Sequence, residues 1–440
     1  CPPTRFFPMP PAGLRRLFLI VLIGLFVRAG VMLSAPQRLL DDRDTYVGLA
    51  LGIAEGRGFS IPETDQPTAY RPVLSPLLLS VGIRFAPILW VAIINLAATA
   101  AAIVATWWIA RRLSLDDRGA LIAAGLLALD PLLMLYAAYP MTETLCLSLV
   151  AMLLAAAFTT ADRLSAPRAV LVGLLFGLAA LCRPSVWAFG GLWAGLSVAH
   201  AVWTRYRSPD DTSTLPVRTW GIVAGTVLLV VAPWVIRNWI VFGQPILMTT
   251  HGGYTILLGN NEAFYEEVVA QPLGTVWDGS RGPGQSAWVN GLHAEMNAAG
   301  LKTDLERDRF MSHRARETIR QHPDLFVRAV MLRLLRFWNV VPSGPSAAAV
   351  PTVVRWGVGA FFVTYWLLAI GGVWHAVRSG DVRWWTLLLL VVSFSLVHTL
   401  YWSNARMRAP VMPAVAVLAA WTAESLLRRC VKRPTSIGSG

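Results

Sequence analysis

The sequence predicts an all-α, polytopic membrane protein, and three observations support this fold class. Hydrophobic residues make up 55% of the 440 residues, and the mean hydropathy is +0.54. Charged residues make up only 14%, whereas soluble domains contain roughly 25%. Apolar stretches of about 20 residues, the length that spans a bilayer, recur along the chain. We expect about ten spans, near residues 17–34, 87–110, 119–138, 143–160, 168–182, 185–203, 219–240, 353–374, 383–401 and 409–427.

Two stretches between these spans are long enough to build a site outside the membrane. The first loop, 35–86, contains short helical patterns, including an interfacial helix near 72–84. The segment 241–352 has Gly and Pro clusters and then helical patterning from about Glu306 to Trp338, which predicts a small mixed cap. We therefore expect a transmembrane catalytic module at 1–240, a cap at 241–352, and C-terminal spans with a tail at 353–440.

The basic residues predict the orientation of the chain. Under the ten-span count, one side of the membrane receives most of the loop arginines and lysines, and cytoplasmic loops carry this excess. Loops 35–86 and 241–352 then lie outside, so a bacterial inner-membrane protein with an extracytoplasmic site is expected. The same scattering between apolar spans explains the net charge of +13 without a nucleic-acid partner.

Several charged residues break this rule at the outer ends of the spans. Charges near membrane depth are costly and usually mark a substrate path, although arginines also snorkel to lipid headgroups. The outer charges are Asp41, Asp42, Asp44, Glu143, Arg183, Arg237, Arg406 and Arg408. A guanidinium group matches phosphate oxygens, and a carboxylate can take a proton from a hydroxyl group. This combination favours transfer of a group from a lipid phosphate to an acceptor outside the membrane.

The first outer loop contains "DRDTYVGLALGIAEGRGFS" followed by "PTAYRPVLSPLLLS". These motifs resemble the first outer loop of the GT-C polyprenyl-phosphate-sugar glycosyltransferases, which include protein O-mannosyltransferases and lipid A aminoarabinose transferases. Further matches follow in order: "LALDPLLMLYAAYPMTETL", "LCRPSVW", "PWVIRNWIVFGQPILMTTHGGYTILLGNN" and "ARMRAPVMPAVAVLAAW". One departure is Val73, where the family often has a second proline after the arginine.

The resemblance implies a GT-C-like bundle with Asp44 as the catalytic base. It also implies that phosphate or substrate is bound by Tyr46, Arg71, Glu143, Arg183, Arg237, Arg406 and Arg408. Asp44 as a helix N-cap is the competing interpretation, and Asp41 and Asp42 are expected to cap or to be solvated. His251 is isolated in "THGGYT", which gives little support for a catalytic or metal-binding role.

The expected donor is a polyprenyl-phosphate-linked sugar, and the expected acceptor is a glycan, lipid or protein hydroxyl. No metal ligands are assigned, although the three neighbouring aspartates could bind a divalent cation. Two alternatives are a transporter or flippase for lipid-linked sugars and a polysaccharide polymerase or ligase. The absence of an internal repeat and the charges on one face favour the transferase.

Overall fold

The computed structural model describes residues 11–159, 165–207, 217–342 and 350–431. Within these ranges the regular structure is helical, apart from an isolated bridge between Ser60 and Pro67. The first ten helices are α1 Pro11–Ser34, α2 Tyr46–Ala54, α3 Leu74–Ser80, α4 Pro87–Arg112, α5 Asp117–Ala128, α6 Pro131–Tyr136, α7 Thr142–Thr159, α8 Ala166–Cys182, α9 Val186–Arg207 and α10 Val217–Phe242. The later helices are α11 Gly252–Gly259, α12 Glu262–Phe264, α13 Gly284–Ala298, α14 Asp304–Gln321, α15 Pro323–Phe337, α16 Thr352–Ser379, α17 Val382–Leu400 and α18 Met412–Val431.

The described helices confirm a multi-pass membrane protein. Seven of them, by length and composition, can cross a bilayer: Gly13–Ser34, Pro87–Arg112, Val186–Arg207, Arg218–Phe242, Thr352–Ser379, Val382–Leu400 and Ala405–Cys430. Two shorter apolar helices, Thr142–Phe158 and Ala166–Cys182, match the fourth and fifth predicted spans. At 1.5 Å per residue, a 17-residue helix is about 25 Å long, slightly less than the hydrocarbon core.

The third predicted span, 119–138, is not one continuous helix. It divides into α5 and α6 at Leu129 and Asp130. Pro131 disfavours helical geometry at the residue before it, so the helix stops there. The Asp130 side chain then accepts hydrogen bonds from the backbone N–H groups of Leu132 and Leu133, which starts α6. Because apolar residues lie on both sides of this break, the sequence pattern resembled one continuous span.

Small residues allow the spans to pack closely. Helix α4 packs on α7, α5 and α1, while α8 packs on α10 and α7, and α16 packs on α18. A Cβ atom added at Gly372 in α16 would lie 2.1 Å from the carbonyl oxygen of Leu418 in α18. Only glycine fits at this crossing, which is a common feature of helix pairs in membranes.

The chain between α10 and α16 forms a helical cap with two apolar clusters. One cluster includes Leu258, Phe264 and Trp277, and the other includes Leu257, Met296 and Met311. The helical pattern predicted from Glu306 to Trp338 is present as α14 and α15, which are separated at His322 by Pro323. The described part of the expected mixed segment is therefore helical.

Candidate active site

Asp44 lies between two arginines that come from distant parts of the chain. Its Oδ2 accepts a hydrogen bond from Nη1 of Arg406 at 2.7 Å, and its Oδ1 lies 3.4 Å from Nη2 of Arg71. Arg71 belongs to the first loop, whereas Arg406 lies in the short 3-10 helix Ala405–Val411 before the last span. The fold thus brings together three of the predicted site residues.

The backbone beside Asp44 is held in an uncommon conformation. Thr45 has φ 64°, in the left-handed region that a β-branched residue rarely adopts. Asp42, and not Asp44, caps α2, because its carboxylate accepts the N–H groups of Val47 and Gly48. Asp41 pairs with Arg43 at 2.8 Å. Asp44 is thus left to face the arginines. Backbone strain such as that at Thr45 is frequent at functional sites.

The electrostatic surroundings keep Asp44 ionised. Burial acts to raise the pKa of its carboxyl, but the charge and hydrogen bond of Arg406, followed by the charge of Arg71, outweigh that effect. The net result is a pKa below the ordinary value for aspartate. The carboxylate is therefore a ready acceptor of hydrogen bonds.

Glu143 connects Arg183 to the cluster formed by Asp44, Arg71 and Arg406. Its Oε1 is 3.6 Å from Nη1 of Arg183 and 3.7 Å from Nε of Arg406. Glu143 is 2% exposed, near the start of α7, while Arg183 directly follows the last residue of α8. Arg406 therefore lies between two carboxylates, Asp44 and Glu143, which fixes its guanidinium group.

Tyr46 lies beside this cluster as the first residue of α2. Its ring is 5.8 Å from the guanidinium carbon of Arg71, and the residue is buried. Burial raises the pKa of Tyr46 to about 12, so its hydroxyl group stays protonated. Tyr46 can therefore donate a hydrogen bond but does not supply a charge.

The structure gives Arg237 and Arg408 other partners. Arg237 donates to the backbone carbonyls of Thr68 and Phe59 at 2.8 and 2.7 Å. Arg408 donates to the carbonyls of Phe337 and Asn339 at 3.0 and 2.6 Å. These contacts do not join them to Asp44 or Glu143, in contrast to Arg71, Arg183 and Arg406.

One close neighbour of Arg71 had little support from the sequence. His251 follows α10, and its Nε2 lies 3.0 Å from Nη1 of Arg71. Its ring packs against the rings of Tyr70 and Tyr254, with centroid distances of 4.3 and 5.3 Å. The signal in the sequence was a single histidine before two glycines, and this pattern does not show which residue the side chain contacts.

Several buried polar atoms of the site have no partner among the described residues. They are Nε of Arg71, Oε2 of Glu143, Nη1 of Arg183 as a hydrogen-bond donor, and Nδ1 of His251. Buried polar groups are nearly always hydrogen-bonded in native proteins. Their concentration around Asp44 indicates where a polar ligand would bind.

No protein-family model and no curated protein matches the sequence. The structure is similar to that of the oligosaccharyltransferase AglB from Archaeoglobus fulgidus in complex with an inhibitory peptide and a dolichol-phosphate. The TM-score is 0.50 at 13% identity, with 98% of this chain and 52% of that chain covered. A second structure of the Archaeoglobus fulgidus oligosaccharyltransferase, in complex with Zn and sulfate, gives a TM-score of 0.52 at 13% identity, covering 94% and 49%.

The chain has the GT-C fold. It spans about half the length of the two archaeal structures. ArnT from Cupriavidus metallidurans, bound to undecaprenyl phosphate, gives a TM-score of 0.44 at 14% identity, covering 94% and 78%. The two archaeal structures, with TM-scores of 0.50 and 0.52, confirm the predicted fold class.

The carboxylates of this GT-C chain are not arranged as ligands for a divalent cation. Both Asp44 oxygens face guanidinium groups, and Glu143 is shared by two arginines. Three positive charges at this position repel a cation and supply the charge that a metal would supply. No group of three or more His, Cys, Asp or Glu side chains with metal-site geometry occurs among the residues described.

An apolar pocket lies within the GT-C bundle. It is lined by residues that include Pro72, Pro184, Trp187, Val231, Trp234 and Met248. Pro72 and Pro184 directly follow Arg71 and Arg183 in the sequence. The chain segments that carry these two arginines therefore also line the pocket.

Proposed function

We propose that the protein is a membrane glycosyltransferase that moves a sugar from a polyprenyl-phosphate carrier to an acceptor hydroxyl of a glycolipid, polysaccharide or protein. The observation that carries this proposal is the ionised Asp44 held between Arg71 and Arg406 in a GT-C fold. Support also comes from the AglB structure, which was solved with a dolichol-phosphate.

The donor phosphate is assigned to the arginine cluster. Arg71, Arg183 and Arg406 carry three positive charges, whereas Asp44 and Glu143 carry two negative ones. The site therefore has an excess positive charge when it is empty of substrate, and an anion relieves the repulsion among the arginines. Only the end of the polyprenyl chain next to the phosphate is assigned to the small apolar pocket beside Pro72 and Pro184.

Asp44 is assigned as the general base. The acceptor oxygen forms a bond with the anomeric carbon while its proton passes to the Asp44 carboxylate. The bond between the anomeric carbon and the phosphate oxygen breaks, and the electron pair leaves with polyprenyl phosphate. The arginines stabilise the charge of this leaving group. Attack from the face opposite the phosphate inverts the anomeric configuration.

Donor binding also prepares the base. In the described structure, Arg71 and Arg406 hold Asp44 and lower its pKa, which weakens it as a base. A phosphate competes for the same guanidinium donors. As the phosphate binds, the carboxylate loses part of this stabilisation, and the proton affinity of Asp44 rises when the acceptor arrives.

The active site is assigned to the outer face of a bacterial inner membrane. This part of the proposal depends on the distribution of basic residues between the spans.

Native mass spectrometry of the protein extracted from membranes tests the donor assignment. We expect co-purified polyprenyl phosphate or its glycosylated form, with lower occupancy in Arg406→Gln than in the wild type. Arg205, an exposed residue at the end of α9, provides the matched control Arg205→Gln. Equal occupancy in all three proteins, or none in the presence of added carrier, would contradict the donor assignment.

A further inference from the structure

The contact between Arg71 and His251 fixes the protonation state of the histidine. The guanidinium group of Arg71 is always a donor, so His251 Nε2, at 3.0 Å, must accept the hydrogen bond. An accepting Nε2 carries no proton, so a neutral ring has its hydrogen on Nδ1. This Nδ1 is buried and has no partner among the described residues.

We propose that His251 is a positioning residue that holds Arg71 against Asp44 by accepting this hydrogen bond as a neutral imidazole. The proposal rests on the proposed function, because it concerns how the phosphate-binding arginine is oriented. Arg71 reaches Asp44 through Nη2 and His251 through Nη1, so the two contacts define the plane of one guanidinium group. Its remaining nitrogen, Nε, stays without a protein partner.

The ring of His251 is itself held on both sides. Tyr70 contacts it edge-on, with the ring planes at 76°, and Tyr254 stacks on it with the planes at 29°. Tyr70 precedes Arg71 in the chain, and its ring lies 5.2 Å from the Arg71 guanidinium carbon. These three rings therefore restrict the movement of both partners in the hydrogen bond.

Helix α14 sets the separation of the two segments that carry these partners. Asp304 accepts hydrogen bonds from the Thr68 hydroxyl and the Ala69 N–H, three and two residues before Arg71. Asp308, one turn later, accepts the Gly253 N–H at 2.6 Å. A Cβ atom at Gly253 would lie 2.1 Å from the Asp308 carbonyl oxygen, so only glycine permits this approach.

A direct backbone bond completes the frame. The N–H of Thr250 donates to the Ala69 carbonyl at 2.9 Å, which joins the segments on either side of the Arg71–His251 pair. Two carboxylates of one helix and this backbone bond thus place the imidazole relative to the guanidinium group. A positioning role explains why the frame surrounds a residue that does not contact Asp44 directly in the described bonds.

Charge around the ring favours the neutral form. Burial lowers the pKa of His251 well below its ordinary value, and the charges of Arg71 and Arg406 lower it further, while Asp44 acts in the opposite direction. Tyr70, Tyr254, Asp304 and Asp308 are further titratable groups on the elements packed around it. Protonation at low pH would turn Nε2 into a donor and break the bond to Arg71.

Replacement of His251 by glutamine and by leucine tests the proposal. A glutamine Oε1 can accept a hydrogen bond near the position of Nε2, whereas leucine cannot. We expect His251→Leu to lower kcat about tenfold with little change in the thermal midpoint, and His251→Gln to recover most of the activity. His313→Gln changes an exposed histidine of α14 and is the control.

The pH profile separates a neutral acceptor from a charged histidine. Because burial and the arginines lower the pKa of His251, the wild type should show no loss of activity near the ordinary pKa of histidine, and His251→Gln should leave the profile unchanged in that range. The proposal is overturned if glutamine performs no better than leucine or if the wild type shows an ionisation near the ordinary pKa of histidine that His251→Gln removes. Asp44→Asn, measured in parallel, tests the proposed function separately. A normal rate in this variant would disprove the role of Asp44 as the base but would leave the comparison of the His251 variants valid.

Discussion

At the scale of single residues, the contacts of Asp42 and Asp44 show which of the two carboxylates caps the helix. Asp42 and Asp44 lie two residues apart, at the start of the same helix. Asp42 accepts the two N–H groups that a capping residue accepts, and Asp44 accepts side-chain hydrogen bonds from distant arginines. The local structure is therefore already capped without Asp44.

Asp44→Asn should preserve the fold and donor binding but lower the transfer rate about 100-fold or more, because an amide cannot take the acceptor proton. In the wild type, kcat/KM should persist until the pH falls below the ordinary pKa of aspartate, because kcat/KM reports the free enzyme, in which the arginines lower the pKa of Asp44. Rates measured with purified protein across this pH range check both points.

Asp41→Asn is the control for that change, because Asp41 pairs only with the half-exposed Arg43 among the contacts described. It should cost much less activity. A purified Asp44→Asn protein with a near-normal rate would show that the base lies elsewhere.

At the scale of elements, the short helix Ala405–Val411 combines two roles in neighbouring side chains. Arg406 contacts the Asp44 carboxylate, and Arg408, two residues later, donates to backbone carbonyls at the end of α15. Cations near a helix C-terminus donate hydrogen bonds to free carbonyl groups and interact favourably with the negative end of the helix dipole. One element thus connects the site to the cap.

Arg406→Gln and Arg408→Gln should therefore fail in different ways. Loss of a charged hydrogen bond to phosphate should weaken donor binding by about 1.5–3 kcal/mol in Arg406→Gln. Arg408→Gln should instead lower the thermal midpoint and leave donor affinity nearly unchanged in the folded fraction. Donor affinity and the thermal midpoint are measured for both variants. If both variants lose donor affinity without destabilisation, Arg408 also binds the phosphate.

The contact between α16 and α18 makes a prediction about stability. Gly372→Ala should destabilise the protein by about 1–3 kcal/mol, because the new methyl group meets the Leu418 backbone. Gly357→Ala lies in the same helix, with no atom within 4 Å of the added Cβ, and should be nearly neutral. Similar thermal midpoints for the two variants would contradict the close packing of these helices.

The sequence predicted the spans and the residues at their ends, but not the direction of each side chain. Asp44, Arg71, Glu143, Arg183 and Arg406 were identifiable because charge beside an apolar span is costly. The same rule selected Arg237 and Arg408, whose charges are satisfied by backbone carbonyls from other elements. This rule did not identify His251, because a neutral histidine carries no charge penalty. Its partner, Arg71, also lies 180 residues away in the sequence.

At the scale of the whole molecule, the orientation of the bundle remains a prediction. Reporter fusions at Pro209, which lies outside the described residues, and at Ser280 in the cap should report different compartments. The expected result is a cytoplasmic signal at 209 and an extracytoplasmic signal at 280, because the basic loops stay inside. A fusion to the cytoplasmic tail is the control, and an extracytoplasmic signal at 209 would reverse the proposed topology.

The separation of Asp44 from Arg406 along the chain has a consequence for biosynthesis. The two residues are 362 positions apart, so the first outer loop is synthesised long before its partner. At about 5–20 residues per second, the interval is roughly 20–70 seconds. Under the proposed function, an incomplete chain that lacks Arg406 would also lack one of the two arginines that hold the base Asp44. We therefore expect transfer activity only after the segment before the final span has been synthesised.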